Sequence, residues 1–261
     1  MRALDIGATG MLAQQLNVEV VSNNIANMNT TAFHRRRVEF QDLLYQNQRR
    51  VGAESSESGT IVPVGVQVGL GVKSASVYRI PIQGNLTLTE NALDLAIDGP
   101  GYFQIDLPSG QTGYTRAGSF QLSSEGTIVT GDGYVVQPGL TIPENTIDIV
   151  VNETGLVLAQ VDGEAEQVEV GQIQLSTFAN QAGLLAIGSN LLLETPASGA
   201  PTSSTPGSIG FGSLQQGFLE TSNVNVVEEI THLITAQRAY EMNSKVIQTA
   251  DKMLQTSTQI R

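Results

Sequence analysis

The sequence of 261 residues contains no cysteine and no tryptophan, and only 13 of its side chains are Lys or Arg. The missing cysteines exclude a disulfide scaffold, a thiolate metal site and a cysteine nucleophile. The 25 acidic side chains bring the formal charge to −12, which argues against a nucleic-acid binder because that class needs clustered cations. No apolar run approaches the ~20 residues of a membrane span, and the first residues lack the pattern of a cleavable secretion signal. Composition alone predicts a soluble acidic protein and leaves its task open.

Glycine and proline are nearly absent from the two ends of the chain. All 9 prolines and 25 of the 27 glycines lie within residues 51–220, and the last 41 residues contain neither. Charge follows the same division, since 51–220 carries a net charge of −14, whereas 1–50 carries +2 and 221–261 is neutral. Because Gly costs a helix interior ~1 kcal/mol and Pro ~3 kcal/mol, the ends can be helical where the middle cannot.

Apolar residues recur at helical spacing at both ends. The N-terminal pattern predicts a helix that ends near Asn27 to Asn29. The C-terminal pattern predicts a helix over about 223–258, capped by Ser222 or Asn223. Its stripe comprises Val226, Ile230, Leu233, Tyr240, Ile247 and Leu254, and a second row comprises Met242, Val246, Met253 and Ile260. One partner helix cannot cover both rows, so we expect apolar area to remain for other chains. A head-to-tail contact that does not close would then build a helical tube.

The middle of the chain reads as an all-β module, either a partly closed irregular barrel or a sandwich. Short apolar runs bounded by Gly, Pro or Asn predict strands within 101–107, 118–123, 126–130, 133–138 and 145–151. Asp-Gly pairs that begin at Asp98, Asp132 and Asp162 predict tight turns. The alternation changes face at Gly171, which predicts a bulge or a bend. Polar, breaker-rich segments at 46–60 and 195–208 are interpreted as linkers.

Residues suited to catalysis are sparse. The two histidines, His34 and His232, lie at opposite ends of the chain and show no zinc-binding spacing. No nucleophile elbow or phosphate-binding loop is present. We therefore predict no enzyme, no catalytic or metal site and no cofactor. The basic run that begins at His34 and ends at Arg37 has two readings, a solvated turn or a salt-bridge face against a neighbouring acidic β-domain.

Three separated motifs resemble one family. They are SNNIANMNTTAF at 22–33, ALDLAIDGPGYFQIDLPSGQTGYTRAGSF at 92–120 and AQRAYEMNSKVIQTADKMLQT at 236–256. They resemble the axial proteins of the bacterial flagellum, the rod and hook group, in the same order along the chain. The length and the segment 45–72 are most similar to the distal-rod type, since a hook protein would carry a much longer outer β-region. The family often has Gly where this chain has Ala32.

The resemblance implies an α+β fold in which the terminal helices form an inner α coiled-coil domain and an all-β domain is inserted between them. The expected parts are an N-terminal helix (1–33), an extended rod-type linker region (34–80), an all-β outer domain (81–204), a return linker (205–222) and a C-terminal helix (223–261). The expected assembly interface of the inner helices is Leu4, Met11, Leu12, Ile25, Asn27, Ile230, Leu233, Tyr240, Ile247 and Leu254. The expected rod-type segment includes Tyr45, Arg49, Arg50, Glu54 and Glu57.

The function that the resemblance implies is mechanical. The chain would be a structural subunit of the distal rod that assembles helically into a rigid hollow drive shaft, transmits torque to the hook and lines the export channel. Expected partners are copies of itself, proximal rod proteins, the hook protein, the surrounding P- and L-ring proteins and the flagellar type III export apparatus. The expected location is the basal body, across the periplasm toward the outer membrane, after export without a cleavable signal. Alternatives are a proximal-rod or hook subunit, or a cell-wall-binding β-module on an oligomerising helix pair.

Overall fold

The computed structural model describes residues 2–49, 64–163 and 167–259, with one helix at each end of the chain and strands between them. Helix α1 spans Arg2–Ala26 and helix α2 spans Val226–Gln259. The strands of the described chain are β1 Arg36–Asp42, β2 Tyr45–Arg49, β3 Val66–Gly69, β4 Val72–Arg79, β5 Leu86–Leu88, β6 Leu95–Asp98, β7 Tyr102–Asp106, β8 Thr112–Thr115, β9 Phe120–Leu122, β10 Ile128–Thr130, β11 Thr146–Val151, β12 Leu156–Val161, β13 Val168–Gln172, β14 Leu175–Thr177, β15 Leu185–Gly188, β16 Leu191–Leu193, β17 Thr202–Ser204, β18 Ser213–Gln216 and β19 Phe218–Glu220. The predicted α+β class with an inserted β-rich region is confirmed.

The described chain divides into two compact units, each assembled from segments that are distant in sequence. The helix unit comprises residues 2–26, 36–49, 64–79 and 225–259, and the β unit comprises 27–35, 80–163 and 167–224. The chain therefore passes from one unit to the other four times. The five-part division expected from the sequence remains a prediction.

Helix α2 begins at Val226, because Asn225 provides its N-cap. The Asn225 side-chain oxygen accepts a hydrogen bond from the Val227 N–H at 3.1 Å, and its carbonyl accepts one from the Glu229 N–H at 3.0 Å. The prediction of Ser222 or Asn223 as the cap was wrong, since the Asn223 side chain makes its hydrogen bonds inside the β unit. Helix α1 ends at Ala26, directly before the predicted stop.

Two antiparallel ribbons complete the helix unit. Strand β1 pairs with β4, with Val38 opposite Val77, and strand β2 pairs with β3, with Tyr45 opposite Gly69. The described part of 34–80 is thus largely paired strand, although the resemblance implied an extended linker region there. Residues 50–63, which include most of the predicted 46–60 linker, lie outside the described chain.

The β unit is built around a six-stranded sheet in the order β15-β16-β8-β7-β14-β17. A three-stranded sheet, β11-β12-β13, and the pairs β9–β10, β6–β18 and β5–β19 accompany it. Phe103 and Phe120 meet edge to face at 5.0 Å in the centre of the core. The remaining large core side chains are Leu95, Ile97, Ile105, Ile128, Val136, Leu140, Ile142, Val151, Val157, Ile173, Leu175, Leu191 and Leu214.

The predicted bulge at Gly171 is confirmed. Val157 faces Gly171 across the ladder, whereas the next residue, Leu158, faces Glu169, so that Val170 has no cross-strand partner. Gly171 has a φ of +151°, and a Cβ at this position would lie 2.5 Å from a methyl carbon of Leu140. The backbone conformation therefore favours glycine, and a side chain at this position would also displace Leu140.

Two segments interpreted as linkers take part in sheet pairing. Within 195–208, strand β17 pairs with β14, and within 205–222, strands β18 and β19 pair with β6 and β5. Leu214 and Glu220, which these strands carry, are almost completely buried. Their Ser, Thr and Gly composition excludes a helix but does not reveal a short strand, whose stability comes from its partner.

Candidate assembly surfaces

Small residues let the two helices of the helix unit approach closely. A Cβ on Gly7 would lie 2.8 Å from an Ile247 side-chain carbon, and a Cβ on Gly10 would lie 2.8 Å from the Asn243 amide nitrogen. The buried apolar residues of the pair are Ala13, Val21, Ala236 and Ala250. This contact, defined by the residues just named, is the helix seam. Its side chains are short, so larger apolar groups of both helices are left on other faces.

The predicted interface residues fall on several faces. Ile247 lies in the helix seam. The predicted residues that are half-buried are Leu4, Met11, Ile25, Leu233, Ile247 and Leu254. The exposed ones are Leu12, Ile230 and Tyr240. Asn27 lies in the β unit, where its side chain accepts a hydrogen bond from the Thr30 hydroxyl at 3.1 Å. Their role in assembly remains a prediction.

Of the four helix-seam residues on α2, sequence reasoning predicted only Ile247. Glu229, Ala236, Asn243 and Ala250 recur at seven-residue intervals on the face toward α1, and three of the four are buried. The prediction followed the large apolar residues instead, and these form a stripe that is displaced from this row. A seven-residue repeat of small and polar residues was the available signal.

Large apolar side chains of α2 form a row that stays exposed among the described residues. Val227, Met242 and Met253 are 74%, 62% and 66% exposed, and Ile234 and Val246 are exposed between them. They are separated by seven, eight, four and seven residues, each close to a whole number of helical turns, so they lie on one side of the helix. We call these five residues the α2 apolar row. Exposed apolar area of this kind marks an association surface.

A buried polar network joins both helices to strand β1. The Asn24 amide nitrogen donates to the Arg36 carbonyl at 2.8 Å and to a Glu229 carboxylate oxygen at 3.1 Å. The Asn24 side-chain oxygen accepts from the Arg36 N–H at 2.9 Å. Asn24 and Glu229 are 1% and 4% exposed. The last turns of α1, the first turn of α2 and the start of β1 are therefore held at one point.

The predicted rod-type segment is only partly within the described chain. Tyr45 and Arg49 lie on β2 and are exposed. A hydrogen bond to Asp42, together with the charge of that carboxylate, raises the pKa of Tyr45 above its usual value. The other predicted members, Arg50, Glu54 and Glu57, lie outside the described residues.

The basic run from His34 to Arg37 is not a simple solvated turn. His34 is partly buried in the β unit, with its Nε2 3.4 Å from a Glu220 carboxylate oxygen. Arg37, on β1 of the helix unit, hydrogen-bonds to the Tyr78 hydroxyl and places its guanidinium 5.5 Å from the centre of that ring. The basic run is therefore divided between the two units. In the β unit His34 lies beside a carboxylate, and in the helix unit Arg37 contacts a tyrosine.

The β unit contains a buried ion pair that sequence reasoning did not identify. The Arg116 Nε donates to a Glu220 oxygen at 2.8 Å, and both residues are less than a tenth exposed. The remaining guanidinium nitrogens donate to the carbonyls of Gly99, Gly101 and Ile97 at 3.0, 2.9 and 3.3 Å. One cation thus holds the carboxylate on β19 and the β6–β7 connection together. Each of the three guanidinium nitrogens of Arg116 has a hydrogen-bond acceptor, as a buried charge requires.

The charge of Glu220 is stabilised in its buried position. Burial acts to raise its pKa, but the hydrogen bonds from His34 and from the Gly84 N–H, together with the Arg116 charge, outweigh it. The pKa of Glu220 is therefore below its ordinary value. The carboxylate remains an acceptor for three donors at neutral pH.

The same part of the β unit fixes the backbone of residues 27–35. The Ala32 N–H donates to the Glu220 carbonyl at 2.8 Å, and the Arg35 N–H donates to the Asn223 side-chain oxygen at 2.7 Å. The Asn223 amide nitrogen in turn donates to the carbonyls of Ile80 and Ile82. Ala32 has a φ of +54°, so an alanine here adopts the left-handed conformation that usually favours glycine.

The described residues contain no group of three His, Cys, Asp or Glu side chains close enough to bind a metal ion.

A cavity of about 870 Å³ in the β unit is lined partly by Tyr114, Leu193, Glu194 and Pro201. Burial and the Glu194 charge raise the pKa of Tyr114. The clearest candidate functional surface in the described residues is therefore the α2 apolar row, which suits packing against another chain.

Comparison with known families gives three matches in chain order. Residues 4–33 match the family "Flagella basal body rod protein", residues 96–159 match "Flagellar hook protein FlgE/F/G D1 domain", and residues 215–260 match "Flagellar basal body rod FlgEFG protein C-terminal". These ranges include nearly all of α1, strands β7 to β11 and β19 of the β unit, and all of α2.

Full-length relatives specify the type. The chain is 62% identical over its entire length to the whole flagellar basal-body rod protein FlgG of Caulobacter vibrioides. It belongs to the FlgG family of flagellar basal-body rod proteins. It is also 52% identical to the FlgG protein of Agrobacterium fabrum over 97% of both chains, and 42% identical to that of Bacillus subtilis over 98% of this chain and 97% of the relative.

The predicted function of a structural subunit of the flagellar distal rod is confirmed by this membership. The family is a structural one, and its members' name places this rod protein in the flagellar basal body. Neither helix in the described residues is long and apolar enough to cross a membrane. Family membership also suggests assembly with itself and with other rod and hook components.

Proposed function

We propose that this rod protein assembles head to tail with copies of itself into a rigid, hollow helical shaft. The α2 apolar row carries the proposal, because its side chains are large, exposed and on a helix whose other face is already occupied by α1. Burial of apolar area yields about 25 cal/mol per Å². A contact between different surfaces of identical copies that does not close into a ring produces such a helical array.

Within this shaft the terminal helices form the inner layer, line the export channel and transmit motor torque toward the hook. The interface expected from the sequence, which includes Leu233, Tyr240 and Leu254, belongs to that layer. The proposed partners beyond copies of itself are proximal rod proteins, the hook protein, the P- and L-ring proteins and the flagellar type III export apparatus. The proposed position is across the periplasm toward the outer membrane.

The β unit supports a different role, an outer surface that does not adhere to its surroundings. Between residues 80 and 224 the chain has 15 acidic side chains, and its one Lys or Arg is the buried Arg116. Hydrated like charges oppose unspecific contact. We expect ring proteins to bind the rod more strongly when several of these acids are neutralised to Asn or Gln, as measured by co-sedimentation of rods with ring protein.

Assembly through the α2 apolar row can be tested by introducing two negatively charged side chains into it. The variant Met242→Glu/Met253→Glu should remain folded as a monomer, because both side chains are largely exposed there. It should not form rods, since burying each unpaired carboxylate costs several kcal/mol. The measurements are electron microscopy of the purified chain and motility of complemented cells.

The matched control is Gln237→Glu/Gln248→Glu, which adds the same two charges at exposed polar positions of α2. This variant should still form rods. Normal rods from Met242→Glu/Met253→Glu would contradict the proposed use of the row. Loss of rods in both variants would show an effect of charge alone.

A further inference from the structure

We propose that Asn24 and Glu229 form a register lock, which fixes the axial alignment of α1 and α2 and thereby gives the helix unit its assembly-competent form. The inference rests on the proposed function, in which this helix pair is the building block of the inner layer. The contacts that define the alignment are antiparallel, with Gly7 at Ile247, Gly10 at Asn243, and Asn24 at Glu229.

The helix seam alone specifies this alignment poorly. A relative shift of about two helical turns, roughly seven residues, would bring Ile247 opposite Ala13 and Gly10 opposite Ala250. Gly10 would then meet another small residue, and the Ile247 side chain, which lies within 2.8 Å of the Cβ position of Gly7 in the native register, would have to rearrange to fit against the methyl group of Ala13. The seam therefore has a second register of similar shape.

The buried polar network distinguishes the two registers. In the shifted one, Asn24 would face the methyl group of Ala236 in place of the Glu229 carboxylate. The Asn24 amide, which is 1% exposed in the native alignment, would lose one of its two acceptors and keep only the Arg36 carbonyl. An unsatisfied buried amide or carboxylate is costly, and a single buried polar pair can set the register of paired helices. Asn24 also holds the Arg36 backbone, so the lock positions β1 together with the helices.

The native absence of cysteine allows register to be measured by disulfide formation. The native reporter is Gly10→Cys/Asn243→Cys, whose positions are in direct opposition. The shifted reporter is Asn17→Cys/Asn243→Cys, which tests an alignment displaced by seven residues. Both are introduced into the full-length chain, assembled and mildly oxidised, and cross-linked chains are quantified on non-reducing gels.

The lock is removed with Asn24→Leu/Glu229→Leu, which replaces both polar partners by apolar ones and avoids a stranded charge. We expect the shifted cross-link to increase about tenfold relative to the unsubstituted lock, equivalent to about 1.4 kcal/mol of register preference. The conservative variant Glu229→Gln keeps an acceptor for Asn24 and should retain the native cross-link. Ser22→Ala, an exposed change on α1, is the control for substitution itself.

A double-leucine variant that forms only the native cross-link would overturn the lock while leaving helical assembly through the α2 apolar row intact. A double-leucine variant that forms no helix by circular dichroism would also overturn it, because a device that only sets register is dispensable for helix formation. Normal assembly of a variant shown to be in mixed register would refute the link from the lock to assembly.

Discussion

Removal of the Arg116 guanidinium should strongly destabilise the β unit. In Arg116→Met, the Glu220 carboxylate stays buried without its cation, and the carbonyls of Gly99, Gly101 and Ile97 lose their donor. Breaking a buried ion pair from one side costs about 3–5 kcal/mol. For a unit of this size each kcal/mol lowers Tm by about 2–4 °C, so we expect a decrease of roughly 10 °C. Urea unfolding measures the change in the free energy of unfolding. Tyrosine fluorescence can follow it, because the chain has no tryptophan to mask the tyrosine signal.

The double variant Arg116→Met/Glu220→Leu separates loss of the pair from stranding of a charge. It should recover a large part of the lost stability, because an apolar pair of similar volume can replace a buried ion pair. A single variant that loses less than about 1 kcal/mol would refute the reasoning and would show that the network behaves like an exposed salt bridge.

The same pair predicts a pH dependence. Because the folded-state pKa of Glu220 lies below the ordinary pKa of a Glu side chain, its contribution to stability is complete above that ordinary pKa and is lost as pH falls through the folded-state pKa. Unfolding curves of the wild type and Glu220→Gln should therefore converge in acid and separate at neutral pH. A difference that is constant from neutral pH into acid would contradict this assignment.

Three further substitutions test local features. Ala32→Gly should stabilise the β unit by about 1 kcal/mol, because alanine at φ +54° is strained, and a lower urea midpoint would contradict this. Gly7→Leu should prevent close approach of α1 to Ile247 and reduce helicity by circular dichroism, whereas exposed Leu12→Ala should not. Gly118→Ala would place a Cβ 1.6 Å from the Leu95 carbonyl oxygen, so we expect failure to fold, and a soluble variant with a normal melting curve would disprove the close approach.

Sequence patterns predicted the parts of this fold that depend on local chemistry. The absence of Gly and Pro after residue 221 predicted α2 to within a few residues, and the face change at Gly171 predicted the bulge. Both features are determined by backbone preferences within a few positions of the chain. The Asn225 cap was missed because several polar residues in a row could each have served, and the choice depended on what the others bind elsewhere.

The buried networks could not be predicted in this way. Arg116 and Glu220 are 104 positions apart, and Asn24 and Glu229 are 205 apart, so no local periodicity relates either pair. Their proximity depends on sheet pairing and on helix alignment, which are set by the whole fold. The predicted stripe on α2 was displaced from the helix seam for a related reason. The small residues of the seam give a weak hydrophobic signal, whereas the large exposed residues give a strong one.

The burial of Arg116 has a consequence for proteolysis. Trypsin cleaves after Lys or Arg, and Arg116 is the only such residue between Arg79 and Arg238. Its side chain is enclosed by Glu220 and three backbone carbonyls, which keeps the adjacent peptide bond from the protease while the unit is folded. A chain of 159 residues, 80–238, is therefore indivisible by trypsin until the β unit opens. Cleavage after Arg116 thus reports directly on that opening.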